Sequence, residues 1–530
     1  MTETLVDRAR PLGRRLRANL SHAVAIDTRS LAVFRMLLGA LVIADVFLRA
    51  RNFSFFYTDD GVVPGSFAME LTADSAFSIF YYTTSPTIIA ALFGLTALVG
   101  LQLLVGYRSK LATVLALLLV VSIDHHNPLV LSYADTLFRL LLFWALFLPL
   151  GERWSIDALH TKSTPRASVS SVASALILSQ MVYMYFVNWY HKSENELWTS
   201  GEATPLIMGL DDTTYLLGEF TRNFPTLLEY GGLTWYYMLA FSWLLIFLAG
   251  RKRILFVGMF MAGHAAFALT VRIGAFAFVA LAGLTLFLQA QFWDDLDSVR
   301  MRVGLDRSRL SDWVDRLSAF GRRVPYHRVD SQRLELLRSG VYLAGITVVV
   351  AVIVVMAAGA YSPTVDDTVQ STGIETQIET GADTLSISQP TWTVFAPGPR
   401  THDRYYVFPA TTDDGQTVDL YNDRELTFDR PYDALQQQHS TYRERFYMGS
   451  IRSGGLDDRH DAPHYLAEYL CAEWNANHDS ELTHINMYQV TEFVTNETID
   501  DHESRNTRTQ QLYRHGCGDN EPTDIDVSTP

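Results

Sequence analysis

"YMYFVNWYHKSENELW", Tyr183–Trp198, ends an apolar run that begins near Val169 and turns polar at His191 and Lys192. A run of about 20 apolar residues has the length of a helix that crosses a bilayer. Similar runs recur through the first two thirds of the chain. Spans are read near Leu31–Leu48, Ile88–Val105, Leu111–Ile123, Leu129–Leu150, Val169–Tyr190, Leu233–Leu248, Ile254–Val271, Ala275–Phe292 and Val341–Ala360. Residues 361–530 are polar instead, with a net charge of roughly −19. The expected fold is an all-α polytopic membrane bundle of about nine transmembrane helices with a C-terminal soluble α+β domain.

The quoted stretch also holds an oddity of composition. The chain has 42 Lys+Arg, of which only Lys110, Lys162, Lys192 and Lys252 are lysines. An acidic, lysine-poor surface stays hydrated through its charge and is expected of a halophilic protein. It excludes nucleic acid as a partner, because that requires a basic footprint.

Basic loops stay on the cytoplasmic side. The tail, residues 1–30, carries Arg8, Arg10, Arg14, Arg15, Arg17 and Arg29 and is read as cytoplasmic, with no cleaved signal. Alternation then places Arg108 and Lys110, Arg153, Lys162 and Arg166, and Arg251-Lys252-Arg253 inside. The arginine-rich loop 293–337 falls there too, before a ninth helix at 338–360. The acidic domain, residues 391–530, is then extracellular, joined by a linker over 361–390. Both cysteines, Cys471 and Cys517, fall in that outer domain, where a disulfide is expected. Three lysines lie in inside loops and Lys192 does not, so the orientation rule cannot account for it.

Ionisable groups within spans are costly and mark candidate sites. Asp135 and Arg139, four apart on one helix face, are expected to neutralise each other, as a structural pair or a catalytic one. Arg35 is read as snorkelling. His264 is isolated among apolar residues, either a packing element or a functional group. By depth, Tyr133 and Asp135 share the outer layer with Asp124, His125, His126, His191 and Lys192. No metal is expected, because adjacent histidines such as His125 and His126 rarely share an ion with good geometry. Phosphate-binding and nucleophile-elbow motifs are absent.

These residues, with "FRMLLGALVIADVFLR", "FYTDDGVVP", "LLVGYRSKLATVLALLL", "HNPLVLSYADTLFRLLLFWALFLPLGERWSIDA" and "HAAFALTVRIGAF", resemble the HTTM family, the membrane domain shared with vitamin K-dependent γ-glutamyl carboxylase. The resemblance runs from about Leu31 to Phe292. It implies that Lys192 stands where the carboxylase keeps the base for its hydroquinone, with His191 in place of a second lysine. His264 and Ile273-Gly274 match the pattern of the seventh span, whereas Phe267 stands where an asparagine is expected. The carboxylase histidine of the fourth span has no match in Tyr133-Ala134-Asp135, which counts against identical chemistry. The propeptide-binding region is not recognisable.

The resemblance implies a quinol-linked membrane enzyme similar to that carboxylase, with Lys192, Asp135, His264 and His191 as catalytic residues. Tyr133, Tyr185, Trp189 and Arg139 are expected to hold a reduced quinone, menaquinol or vitamin K hydroquinone. The expected partners are membrane lipid and an extracellular peptide substrate. Two alternatives stay open. One is a charged Lys192 paired with Glu196 at the helix end. The other is a non-enzymatic protein that binds lipid or quinone or supports envelope assembly. In the outer domain "TWTVFAP", "RYYVFPAT" and "QTVDLYN" read as strands, and "APHYLAEYLCAEWNAN" as a helix.

Overall fold

The computed structural model describes residues 18–302, 315–316, 318–326, 332–361 and 374–526. Most of the N-terminal arginines and much of the arginine-rich loop lie outside the described residues. The first half is carried by α1 Thr28–Ala50, α2 Pro86–Val105, α3 Ser109–His126, α4 Tyr133–Ala145, α5 Val172–Lys192, α6 Pro225–Ala240, α7 Gly250–Thr270 and α8 Phe276–Leu284. Among the described residues five helices, α1, α2, α3, α5 and α7, are long and apolar enough to cross a membrane. A sixth is reached if Phe276–Phe287 and Ala290–Arg302 (α9), bent by 98°, count as one span. The chain is a multi-pass membrane protein on this basis, though fewer helices meet the criterion than the nine runs of the sequence.

The shortfall has local causes. The fourth run is cut by a capping box in which Ser132 and Asp135 serve each other's backbone, so α4 starts late and has 13 residues. At 1.5 Å per residue that is about 20 Å, short of a bilayer core. The sixth run breaks after Ala240, and the eighth passes into a 3₁₀ turn, Thr285–Phe287. The ninth lies within α10, Gln332–Tyr361.

α1 to α8 run alternately between two ends. At one end, β1 Ile26–Asp27 pairs with β2 Ser168–Val169. There Arg35, fully buried, donates to the carbonyls of Leu104, Leu150, Arg153 and Trp154. This corrects the snorkelling expectation: the guanidinium ties the end of α2 to the loop after α4 from within.

The opposite end receives the C-terminal domain. The segment 374–384, read from sequence as linker, is helical (α11 Ile374–Thr384). The sheet consists of β3 His402–Val407, β4 Pro409–Thr412, β5 Thr417–Asp419, β6 Arg424–Glu425, β7 Leu482–Phe493 and β8 Thr507–Gly516. β7 is central, with β3 and β4 along one edge and β8 along the other, all antiparallel. Gly415, at φ +85°, turns the chain between β4 and β5. Two helices, α12 Tyr442–Asp457 and α13 Ala462–Asn477, complete the domain, and a disulfide joins Cys471 on α13 to Cys517 after β8.

Docking is both ionic and steric. Arg505, fully buried, reaches Asp211 at 2.9 Å and Asp403 at 2.8 Å, clamping the loop before α6 to the sheet. The ring of Tyr442 lies where a Cβ on Gly274 would stand, only 2.0 Å away, and Gly274 has φ +64°. The largest tie is a buried ionic cluster. Arg49 binds Asp45 at 2.8 Å, Asp124, and Asp135 at 3.3 Å; Arg139 binds Asp124. From α12, Arg443 reaches Asp45 at 2.5 Å and Asp135 at 2.9 Å. Asp135 and Arg139 therefore do not neutralise each other, because each has a closer partner on another element.

Removing one member of a buried ion set strands its partners in low dielectric, at a cost of about 3–5 kcal/mol. Arg443→Ala should lower the thermal stability of the detergent-solubilised protein accordingly and expose the C-terminal domain to limited proteolysis. A second expectation concerns acid. Burial first, and then Arg445, Arg272 and Arg400, push His439 down to about 3. Below the ordinary imidazole pKa of 6.5 the unfolded chain takes up a proton that the native side chain refuses, so stability falls as pH drops from about 6.5 towards 3. His439→Gln should flatten that part of the profile of melting temperature against pH.

Candidate functional site

α5 places its polar residues on one stripe: Tyr185, Asn188 and Lys192 follow at three- and four-residue spacing and share a face. That face opens on a cavity of about 530 Å³. Lys192 and Asn188 line one part of it, His264 and Tyr185 another, and Trp235, Met238 and Phe267 contribute to its apolar wall. Gly263 makes room for the wall, since a Cβ there would stand 2.6 Å from the Trp235 ring. Tyr185 Oη and His264 Nε2 are hydrogen-bonded at 2.8 Å, and His264 Nδ1 is buried without a partner among the described residues.

One side of the cavity comes from the C-terminal half. Residues 387–396, placed by sequence partly in the linker and partly in a strand, are irregular. They run as a strap across the membrane helices. Trp392 is 0% exposed and belongs to the membrane-domain core. Asn188 Nδ2 donates to the carbonyls of Trp392 at 2.7 Å and Val394 at 3.0 Å. Lys192 Nζ donates to the carbonyls of Val394 at 2.8 Å and Phe395 at 3.0 Å, and lies 3.4 Å from the centre of the Trp198 ring. Trp198 Nε1 donates to Phe395 O, and Tyr133 Oη bonds Thr393 Oγ1 at 2.8 Å.

Lys192 is only 2% exposed. Its partners are carbonyls and an indole face; Glu196 is not among them, and opens a separate short helix, Glu196–Ser200. The expected i,i+4 pair does not form because α5 ends at Lys192 itself.

The sequence candidates thus divide. Lys192, His264 and Tyr185 meet at the cavity. Asp135 and Arg139 lie in the ionic cluster, where Arg139 also donates to Ser386 O, just before the strap, at 2.8 Å. Tyr133 touches the strap from outside the cavity lining. His191 turns away, half-buried, towards Glu194 at 4.0 Å. Trp189 packs against Phe186 and Tyr236. His125 and His126 bond separate backbone carbonyls, of Phe77 and Tyr57.

Sequence reasoning missed Asn188, Trp198, Trp235 and the strap. Asn188 was detectable as an amide one turn before Lys192 in an aromatic helix. It also missed His464, Glu468 and His515, whose ligand atoms lie within 4.8 Å of one another in the C-terminal domain.

A family model described as HTTM domain matches residues 24–293, just over half of the chain. No curated protein and no solved structure matches.

The strap is held by donors that can be removed without changing side-chain bulk. The two native cysteines are bonded to each other, so a Val394→Cys variant carries a single reactive thiol. Lys192→Met in that background should raise its alkylation rate roughly tenfold or more, as expected for loss of two hydrogen bonds. An unchanged rate would show that Lys192 does not hold the strap.

Proposed function

The chain belongs to the HTTM domain family, and from that premise we propose that its cavity binds a reduced, lipid-soluble quinone on which Lys192 acts as base. One observation carries this reading. Lys192 and His264, far apart in sequence, line one largely apolar cavity whose size lies within the range of small-molecule sites. Menaquinol or vitamin K hydroquinone fits this setting: a flat aromatic head suits walls of Trp235 and Phe267, and its hydroxyls need the few polar groups present.

A neutral Lys192 amine would donate its two N–H bonds to Val394 O and Phe395 O and keep a lone pair for a hydroxyl proton. His264 and Tyr185 would orient the second hydroxyl. Asp135 and His191, expected from sequence to take part, act in this reading through the cluster and the helix end, outside the reacting centre. Bound, the quinol would supply the reducing equivalents, and the protein would supply desolvation and a proton acceptor.

The same reading has nine crossings, a cytoplasmic N-terminus and an extracellular C-terminal domain, supported by the basic loops. A peptide substrate would approach from the outer side, and lipid would surround the bundle. A carboxylase-like reaction on that peptide is the enzymatic form of the proposal. A second form is favoured by the geometry around Lys192: two carbonyls and an indole face also make a good cage for an ammonium ion. In that form Lys192 is a charged clamp, and the protein binds quinone or lipid without chemistry.

The two forms part in one experiment. Protein in nanodiscs, titrated anaerobically with a menaquinone-type quinol, should show saturable quenching of tryptophan fluorescence, and His264→Ala should weaken it. With air, bicarbonate and a glutamate-containing peptide, the enzymatic form consumes oxygen and Lys192→Ala abolishes the consumption. Quinol binding without turnover in the wild type supports the clamp. Absence of quinol binding overturns the enzymatic form and the quinone-binding clamp alike.

A further inference from the structure

The C-terminal domain is strongly acidic, yet one crevice in it gathers the opposite charge. On α12, Arg445, Met448, Gly449 and Arg452 share a face at helical spacing. On β3, His402, Arg404 and Tyr406 alternate onto one face of the sheet. Tyr406 Oη donates to Met448 O at 3.0 Å, which brings these two faces together. Between the arginines on α12 there is space: a Cβ on Gly449 would meet nothing within 4 Å.

Most of the guanidiniums around this space make no direct ion pair with an acid. Arg404 donates to His402 Nε2 at 2.5 Å, and the Nε atoms of Arg404 and Arg452 are buried without partners. Among the described residues no ion pair joins Arg404, Arg445 or Arg452 to a carboxylate, and only Asp403 acts on Arg445 from a distance. Arg272, from the turn after α7, donates to the carbonyls of Gln436 at 2.6 Å and His439 at 3.4 Å. Of the group, Arg400 is the one that reaches an acid, Asp212. Burial, then repulsion from Arg452 and Arg445, pulls Arg404 down to about 10. Partial burial first, and then Arg404, Arg400 and Arg452, push the half-buried His402 down to about 3, so it stays neutral.

Like charges gathered in a partly desolvated crevice oppose folding unless something compensates them. A single carboxylate would leave most of the charge uncompensated. A multivalent oxyanion offers several acceptor oxygens to guanidinium forks, the geometry in which arginine surpasses lysine.

We propose that the crevice between β3 and α12 is a binding site for a phosphoryl anion, held by Arg404, Arg445 and Arg452. Arg400 and Arg272 stand beside it, and Arg272 marks where the crevice meets the membrane helices. The phosphoryl group can belong to a free solute or to a phosphorylated lipid headgroup. The site is distinct from the membrane cavity and does not depend on quinone binding.

The test uses full-length protein in detergent at constant ionic strength. Pyrophosphate, dioctanoyl phosphatidate and citrate are titrated calorimetrically against the wild type, Arg452→Gln, and Arg445→Gln/Arg452→Gln. Saturable binding of pyrophosphate or phosphatidate, weakened roughly tenfold or more by the double substitution, supports the site. Preference for pyrophosphate identifies a free solute, and preference for phosphatidate a lipid. Without anion, the double variant should melt no lower than the wild type, since it relieves repulsion. The wild type's melting temperature should rise with the anion. If the double variant does not fold, weakened binding by Arg452→Gln alone is the criterion. Citrate binding without phosphoryl binding, no binding at all, or binding indifferent to the substitutions overturns the proposal.

Discussion

Asp124, with no exposed surface, takes a guanidinium on each oxygen: Arg49 from α1 and Arg139 from α4. Around it Asp45, Asp135 and Arg443 complete a set of three acids and three arginines that is neutral as a whole. In low dielectric such a set is stable only when complete, because any uncompensated member carries its full desolvation cost. Neutrality here requires Arg443, which the C-terminal domain supplies. The membrane helices and the C-terminal domain are therefore one electrostatic unit, and the position of α12 over α1, α3 and α4 follows from charge balance as much as from packing.

The same cross-domain logic shapes the cavity. Its helices contribute Tyr185, Asn188, Lys192 and His264, but Val394, Phe395 and Trp392 enclose it from the strap. Asn188 and Lys192 spend their donors on strap carbonyls that would otherwise lie buried and unsatisfied. Whatever Lys192 does chemically, it also holds the cavity wall in place. That dual duty suits a lysine in a chain that otherwise uses arginine: a compact amino group on a flexible stem reaches two carbonyls and an indole face at once.

Much of this was legible in the sequence, and the remainder failed for identifiable reasons. Apolar runs located the long helices, and the quoted stretch around Lys192 pointed to the site. Apolar length could not reveal that α4 starts at a capping box, since the run itself continues past both ends. The pairing of Asp135 with Arg139 followed from i,i+4 spacing, a local rule. It lost to Arg49 and Arg443, which arrive from 86 and 308 positions away. The strap was opaque for a similar reason: Thr, Ser, Gln and Pro around Trp392 have the composition of a linker, and only tertiary contact turns them into core. Family resemblance located Lys192 and His264 but said nothing of Asn188 or Trp198.

The strap also imposes an order on biogenesis. Residues 24–293 leave the ribosome before residues 387–443 exist, so a nascent membrane domain carries an open cavity and an acid cluster one positive charge short. Both defects are repaired by the same late event, the arrival of the C-terminal half. A chain truncated before that point is unfinished in its interior even though its helices are all present. A chain that lacks this segment is distinguishable from one that has it by an exposed cavity and an unbalanced charge within the bundle.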